Sequence, residues 1–164
     1  MKLNSQTSLG KALESNHSMR AVEGEAIETD LTARMKTMDT VVAEIEKLAP
    51  NVSKKHAEAF RKRIEQLLGD VGLDEDRLVT EIALTADRLD FTEEITRLRS
   101  HESQFNKTLA DGGEISKKLT YILQEMHREA STIGAKASDS EMVQHVVALK
   151  EETEKLREQV QNLE

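Results

Sequence analysis

A single proline, Pro50, interrupts a chain of 164 residues that otherwise favours helices. Glu, Lys, Leu, Ala and Arg, which are common in long helices, dominate its composition. No segment shows the alternation of β-branched and aromatic residues that is typical of a strand. The sequence therefore predicts an all-α fold.

Apolar residues recur at spacings of three, four and seven before Pro50, which is typical of an amphipathic helix. We predict a first helix over 7–48 and a second over 53–68, because the residue before a proline is disfavoured in a helix. The short link between them predicts a long antiparallel hairpin within 7–70. Residues 74–164 are predicted to form a bundle of at least three further helices, and the whole chain to be a single domain.

The apolar positions of the stretch 74–110 do not share one face on the two sides of Asp90. Either the helix breaks there, with Asp90 to Glu93 as a capping box, or one helix packs against two different partners. Gly134 is predicted to end a fourth helix over 116–133. A fifth helix is predicted over 139–162.

The composition excludes several classes of protein. There is no cysteine, and therefore no disulfide framework, no cysteine-ligated metal and no thiol nucleophile. The net charge of −8 argues against a protein that coats nucleic acid nonspecifically, and no DNA partner is expected. The dense basic patch formed by Lys54, Lys55 and residues 61–63 is only weak evidence for contact with RNA, because it offers little aromatic surface for base stacking. No apolar run reaches the length of a membrane span and 1–10 lacks a secretory core, which predicts a cytoplasmic protein without a membrane partner.

Two polar stripes stand out on the predicted helices. The first stripe has three carboxylates and an imidazole, which are ligands suited to Mn²⁺ or Mg²⁺. The second stripe contains Glu125 and Glu129, which are four residues apart, and at this spacing both can bind one cation. A solvated helix face with weak Glu–Arg and Asp–Arg pairs explains each pattern too, and is the more common case. The first stripe consists of Asp87, Asp90, Glu94, Arg97 and His101, and the second adds Gln124, Arg128, Ser131 and Thr132 to the two glutamates.

The spaced residues of these stripes resemble the C-terminal half of the YicC-like family, formerly described as stress-induced proteins and now as endoribonucleases. The resemblance covers nearly the whole chain from about residue 9. The residues that carry it are Met19-Arg20-x-x-Glu23-Gly24-Glu25-Ala26, Glu81-Ile82-Ala83-Leu84-x-Ala86-Asp87-Arg88-x-Asp90-x-x-Glu93-Glu94-x-x-Arg97-Leu98-x-Ser100-His101, Lys118-Leu119, Gln124-Glu125-Met126-x-Arg128-Glu129, Thr132-Ile133-Gly134-x-Lys136-Ala137 and Glu158 to Glu164.

The resemblance implies a divalent-metal-dependent endoribonuclease that acts on small, structured RNA, with Mn²⁺ or Mg²⁺ as cofactor. It also implies a ring-like homo-oligomer, expected to be a hexamer, and an N-terminal domain that this chain lacks. The chain departs from the family pattern at Thr120, where a carboxylate is usual, and at His127 and Ser131.

Carried onto this sequence, the resemblance assigns roles to both stripes. It implies that Glu94, His101, Glu125 and Glu129 are metal ligands or acid–base groups. The phosphate-binding cations would be Arg97, Arg128, Lys136 and Lys118. Asp87 and Asp90 would orient Arg88 and Arg97.

The competing hypothesis is a non-catalytic role in which this half drives oligomerisation, while RNA binding and activity need the missing domain. The net charge of −8, the amphipathic helices and the loss of a carboxylate at Thr120 favour it. In that case the chain alone is inactive.

Overall fold

The computed structural model describes the backbone of residues 3–68, 75–88 and 90–163, and the side chains of 22–66, 79–85 and 90–163. All regular structure in these ranges is helical, which confirms the all-α prediction. The helices are α1 (Leu3–Leu68), α2 (Glu75–Arg88), α3 (Thr92–Asp111), α4 (Ser116–Lys136) and α5 (Ser140–Val160). None of the helices in the described part of the chain is long and apolar enough to cross a membrane.

The middle of α1 packs with α3, α4 and α5 around one core, and α2 contacts α1. Each of the four bundle helices contributes apolar side chains that are almost completely buried. Removing these side chains from water is the main stabilising term in a bundle of this kind. The largest of them are Leu31, Met38, Ile45, Phe91, Leu98, Phe105, Leu119, Ile122, Leu123, Met126, Ile133 and Met142.

The predicted break at Pro50 is wrong, because α1 continues through this residue for a total of 66 residues, or about 100 Å. An interior proline removes one helical hydrogen bond and costs about 3 kcal/mol. Its neighbours Ala49 and Val52 are buried in the core, whereas Pro50 itself is exposed. Packing on both sides of the proline therefore holds the helix together, and α1 up to Leu68 is a single helix where a hairpin was predicted.

The helical stretch 74–110 does break, which settles the alternative left open by its apolar pattern. α2 ends at Arg88 and α3 begins at Thr92. Asp90 accepts hydrogen bonds from the Thr92 backbone N–H at 2.9 Å and from its hydroxyl at 2.6 Å. These bonds lower the pKa of Asp90. The turn is thus fixed by an aspartate, although Glu93 pairs with Arg97 instead of completing a capping box.

The predicted interruption at Gly134 is also wrong, because α4 continues to Lys136. A side chain at position 134 would lie 3.1 Å from Cγ1 of Val146 on α5. Glycine here allows the two helices to approach closely, and it does not act as a helix terminator. The chain turns at Ala137, and Asp139 then caps α5 by accepting from the backbone N–H groups of Glu141 and Met142.

Candidate functional site

The first polar stripe is divided between two helices. The break between α2 and α3 leaves Asp90 at the junction and Glu94, Arg97 and His101 on α3. The side chains of Asp87 and Arg88 lie outside the described residues. The described residues of this stripe therefore lie on a helix that packs chiefly against α4.

Glu94 is a buried acid whose cation comes from another helix. Glu94 is only 6% exposed, and its Oε1 accepts a hydrogen bond from Nζ of Lys136 at 2.8 Å. The same ammonium donates to the backbone carbonyl of Asp90 at 2.9 Å. Oε2 of Glu94 is buried and has no partner among the described atoms. A buried carboxylate of this kind contradicts a merely solvated helix face.

Glu129 is the second buried acid, at 4% exposure. Its Oε1 lies 3.4 Å from Nη1 of Arg97, which is half-exposed and also pairs with Glu93. The hydrogen bond to Glu129, reinforced by the charge of Glu93, raises the pKa of Arg97. The Glu129 carboxylate is therefore buried, whereas its partner, the Arg97 guanidinium, is accessible to solvent.

These two interhelical pairs set the register of α3 and α4. Because Glu94 meets Lys136 and Arg97 meets Glu129, the helices run antiparallel. We call these four residues the α3–α4 seam. Along the same register His101 falls opposite Glu125, one turn further, but no described hydrogen bond joins their side chains. The seam therefore includes Glu94, Arg97, Glu129 and Lys136, with His101 and Glu125 at its continuation.

The remaining predicted phosphate ligands lie apart from the seam. The Arg128 side chain is 75% exposed and lies 4.0 Å from Glu125. Lys118 is exposed near the start of α4, about five turns from Lys136. Sequence periodicity placed these residues on one helix correctly, but the structure does not bring them together with the buried carboxylates.

The predicted metal ligands do not fit a metal site in this arrangement. Among the described side chains, no three His, Asp or Glu groups lie close enough together to hold an ion. Glu94 and Glu129 each have a cationic side chain as partner instead. The unpartnered Oε2 of Glu94 is a single oxygen, and a divalent cation needs several such ligands.

A second cluster of charged residues, at the contact between α3 and α1, was not predicted from the sequence. Arg99 pairs with Asp39 and Glu46 of α1 and with Glu102 one turn along α3. We call these four residues the Arg99 cluster. Glu102 is 6% exposed, and burial raises its pKa despite the bond from Arg99. The only signal in the sequence was the spacing of three between Arg99 and Glu102.

The family model described as "Endoribonuclease YicC-like, C-terminal" matches residues 45–164. The chain belongs to the YicC-like family. The matched region contains the whole α3–α4 seam. The resemblance inferred from the spaced motifs is thus confirmed.

Two curated relatives carry the name probable endoribonuclease YicC. The one from Clostridioides difficile (strain 630) is 40% identical over 147 residues, and the one from Haemophilus influenzae (strain ATCC 51907 / DSM 11121 / KW20 / Rd) is 32% identical over 146 residues. Each alignment covers 89% of this chain and 50% of the relative. The chain therefore spans about half the length of the curated relatives that it matches.

Proposed function

We propose that this chain is the helical domain of a cytoplasmic endoribonuclease that cleaves structured RNA, with the α3–α4 seam as part of the active site. One observation carries the proposal: two buried carboxylates are each held beside a more accessible cation, within the region that matches the family. The names of the relatives support RNA as the substrate.

The seam combines the two functions that phosphodiester cleavage requires. Arg97 presents a fork of donors suited to a phosphate, and Lys136 provides a point charge beside it. When a phosphate competes for these cations, Glu129 and Glu94 lose their partners and become acceptors for the proton of an attacking hydroxyl. General acid–base catalysis of this type contributes about 10²–10⁴-fold in rate.

The remaining assigned residues extend this site in our proposal. His101 and Glu125, which follow in the helix register, are assigned to further proton transfer. Arg128 and Lys118 are exposed and are assigned to flanking phosphates. Asp90 acts through its backbone carbonyl, which holds the Lys136 ammonium in place.

A requirement for Mn²⁺ or Mg²⁺ is a separate proposal, supported by the family resemblance. No catalytic step is assigned to the ion, because the described side chains do not form a ligand set. Cleavage assays with added Mn²⁺, with added Mg²⁺ and with a chelator test the requirement directly. Equal rates in all three would contradict it.

We also propose that the chain forms a homo-oligomer, with a hexamer as the expected form. Val143 and Val147 support self-association, because they are 39% and 48% exposed and lie one turn apart on α5. Light scattering should then give a multiple of the 18.4 kDa chain mass. A monomeric mass at all concentrations would contradict the proposal.

The decisive experiment compares cleavage of a labelled structured RNA by the parent chain and by the Glu94→Gln and Glu129→Gln variants. Each substitution retains the size of the side chain and removes the proton acceptor. We expect the cleavage rate to fall by about 10²-fold or more in each variant. The same assay in the longer form typical of the relatives tests whether the chain needs further parts of the protein.

Glu151→Gln is the matched control, because Glu151 is exposed on α5 and takes no part in the seam. Its rate should equal that of the parent. Full cleavage by both seam variants would refute the site assignment. A defined oligomer that neither cleaves nor binds RNA would instead support the non-catalytic role.

A further inference from the structure

The C-terminal part of α1 carries a charge opposite to that of the chain. Residues 53–66, which we call the basic segment, contain five Lys or Arg residues and two Glu residues, a net of three positive charges. Because the whole chain has a net charge of −8, the rest of it carries −11. This segment is therefore the place where a polyanion would meet the least repulsion.

The cations of the basic segment are all exposed, and all but Arg63 are concentrated on one side of the helix. At about 100° per residue, four of the five fall within an arc of roughly 120°. Arg61 pairs with Glu65 at 3.0 Å, and Lys55 lies 3.9 Å from Asp139. Within the described structure no carboxylate pairs with the other three cations. These three are Lys54, Lys62 and Arg63.

The basic segment begins beside the α3–α4 seam. Nε2 of His56 lies 2.5 Å from Oγ of Ser138, in the turn between α4 and α5. Ser138 comes two residues after Lys136, whose ammonium holds Glu94. The exposed cations therefore lead along α1 away from the point where the seam ends.

The chemistry of this surface distinguishes a nucleic-acid backbone from a protein partner. None of the large apolar side chains that the described structure exposes lies within residues 53–66. Protein interfaces are centred on apolar and aromatic residues, whereas phosphate contacts need only donors and positive charge. The absence of aromatic stacking residues on this side further indicates contacts with phosphates, not with bases.

We infer that the basic segment binds the phosphodiester backbone of RNA and directs the strand to the α3–α4 seam. The inference rests on the proposed function and adds a binding surface to it. Lys54 and Lys62 lie on the basic side of the helix and Arg63 lies beside it, and these three cations provide the main contacts because no described carboxylate pairs with them. The acidic remainder of the chain restricts the RNA to this path through repulsion.

The test measures the affinity of the chain for a labelled RNA hairpin by fluorescence anisotropy over a salt series from about 50 to 200 mM. The test variant combines Lys54→Gln, Lys62→Gln and Arg63→Gln. The control variant combines Lys36→Gln, Lys107→Gln and Lys117→Gln, which removes three exposed charges elsewhere. Both keep helix-compatible residues, and circular dichroism verifies their folding.

We expect the test variant to bind at least tenfold more weakly at the lowest salt concentration. Because each lost phosphate contact reduces the slope of log K against log salt by about 0.7 in a single strand and about 0.9 in a duplex, the slope should fall by about 2–3. The control variant should change affinity less than twofold. Equal losses in both variants, or no RNA binding by the parent chain, would overturn the inference.

Two further measurements separate this inference from its alternatives. Polyglutamate that displaces the RNA at equal charge concentration would identify an acidic polypeptide as the ligand and overturn the inference. Cleavage of the same RNA by the parent and by the test variant is measured in parallel with binding. If RNA binding depends on the basic segment but no form of the chain cleaves, the proposed catalytic function fails and the binding surface stands.

Discussion

Two buried glutamates on α3 differ in the cations that neutralise them. Glu94 and Glu102 are each 6% exposed, and each has one oxygen without a partner among the described atoms. Glu94 is paired with Lys136, which comes from another helix 42 residues away. Glu102 is paired with Arg99 on its own helix, and Arg99 is shared with Asp39 and Glu46 of α1.

The difference lies in the number of carboxylates that each cation serves. In the seam, Lys136 serves one acid, so removing either member leaves an uncompensated charge. In the Arg99 cluster three carboxylates surround one guanidinium, so the cluster has a net charge of −2 when all are ionised. We therefore expect loss of the cation to destabilise the seam, and loss of one carboxylate to stabilise the Arg99 cluster.

The largest effect is expected from Lys136→Met, which removes the cation and leaves Glu94 buried and unpaired. Breaking a buried pair in this way costs about 3–5 kcal/mol, and the 26% exposure of the Lys136 side chain places our expectation near 3 kcal/mol. Urea denaturation measures the loss in unfolding free energy. Lys136→Arg, which retains the charge, is the matched control.

A double-variant cycle makes this prediction specific. Adding Glu94→Gln to Lys136→Met removes the buried charge, and it should restore part of the lost stability. If the two single changes add without any coupling, the Glu94–Lys136 pair does not hold the seam together.

The contrast between the two glutamates shows what can be predicted from this sequence. Helical periodicity identified the all-α class, the amphipathic seams and the polar residues of α3 and α4. It also predicted that Arg97, His101 and Glu94 share one side of a helix, as they do on α3. Local rules succeed here because residues three and four apart on a helix are neighbours.

Local rules failed where packing between helices decides the outcome. Pro50 and Gly134 both favour a helix end by themselves, but buried neighbours keep α1 intact and α5 packs closely on Gly134. The partner of Glu94 could not be found from spacing, because it lies on another helix. Burial of Glu94, Glu102 and Glu129 likewise depends on which faces of α3 and α4 pack against other helices, which charge patterns alone do not reveal.

The next largest effect is expected from Glu102→Gln and Glu94→Gln, which should change the free energy of unfolding in opposite directions. Glu102→Gln keeps an acceptor for Arg99 and removes a buried charge that lies near Asp39 and Glu46. Because the ionised Glu102 side chain is desolvated and lies near two other carboxylates, we expect relief of about 1 kcal/mol at neutral pH. Glu94→Gln should destabilise the chain instead, and urea denaturation of both variants measures this contrast.

The effect of Glu102 should also depend on pH. Burial raises the pKa of folded Glu102 above its ordinary value of 4.5, so the folded state retains a proton that the unfolded chain has lost. Its contribution to stability is complete below 4.5 and disappears as the pH rises through the folded pKa. The advantage of Glu102→Gln should therefore grow over that interval, whereas Glu151→Gln should show no such change. A constant advantage would mean that ionisation of the Glu102 side chain is not its cause.

The smallest effect is expected at the junction that holds the seam in place. Asp90→Ala removes the acceptor for two Thr92 hydrogen bonds but keeps the backbone carbonyl to which Lys136 donates. Loss of such a capping interaction costs about 1 kcal/mol.

The pH dependence of this loss is opposite in sign to that of Glu102. Because the Thr92 bonds lower the pKa of Asp90 below its ordinary value of 3.8, the stabilisation exists above that value and is lost as the pH falls through the folded pKa. Thermal unfolding of Asp90→Ala and Asp90→Asn measures both effects, since Asn keeps an acceptor but cannot titrate. If Asp90→Asn loses as much stability as Asp90→Ala, the charge of Asp90, and not its hydrogen bonds, fixes the start of α3 and with it the position of Glu94.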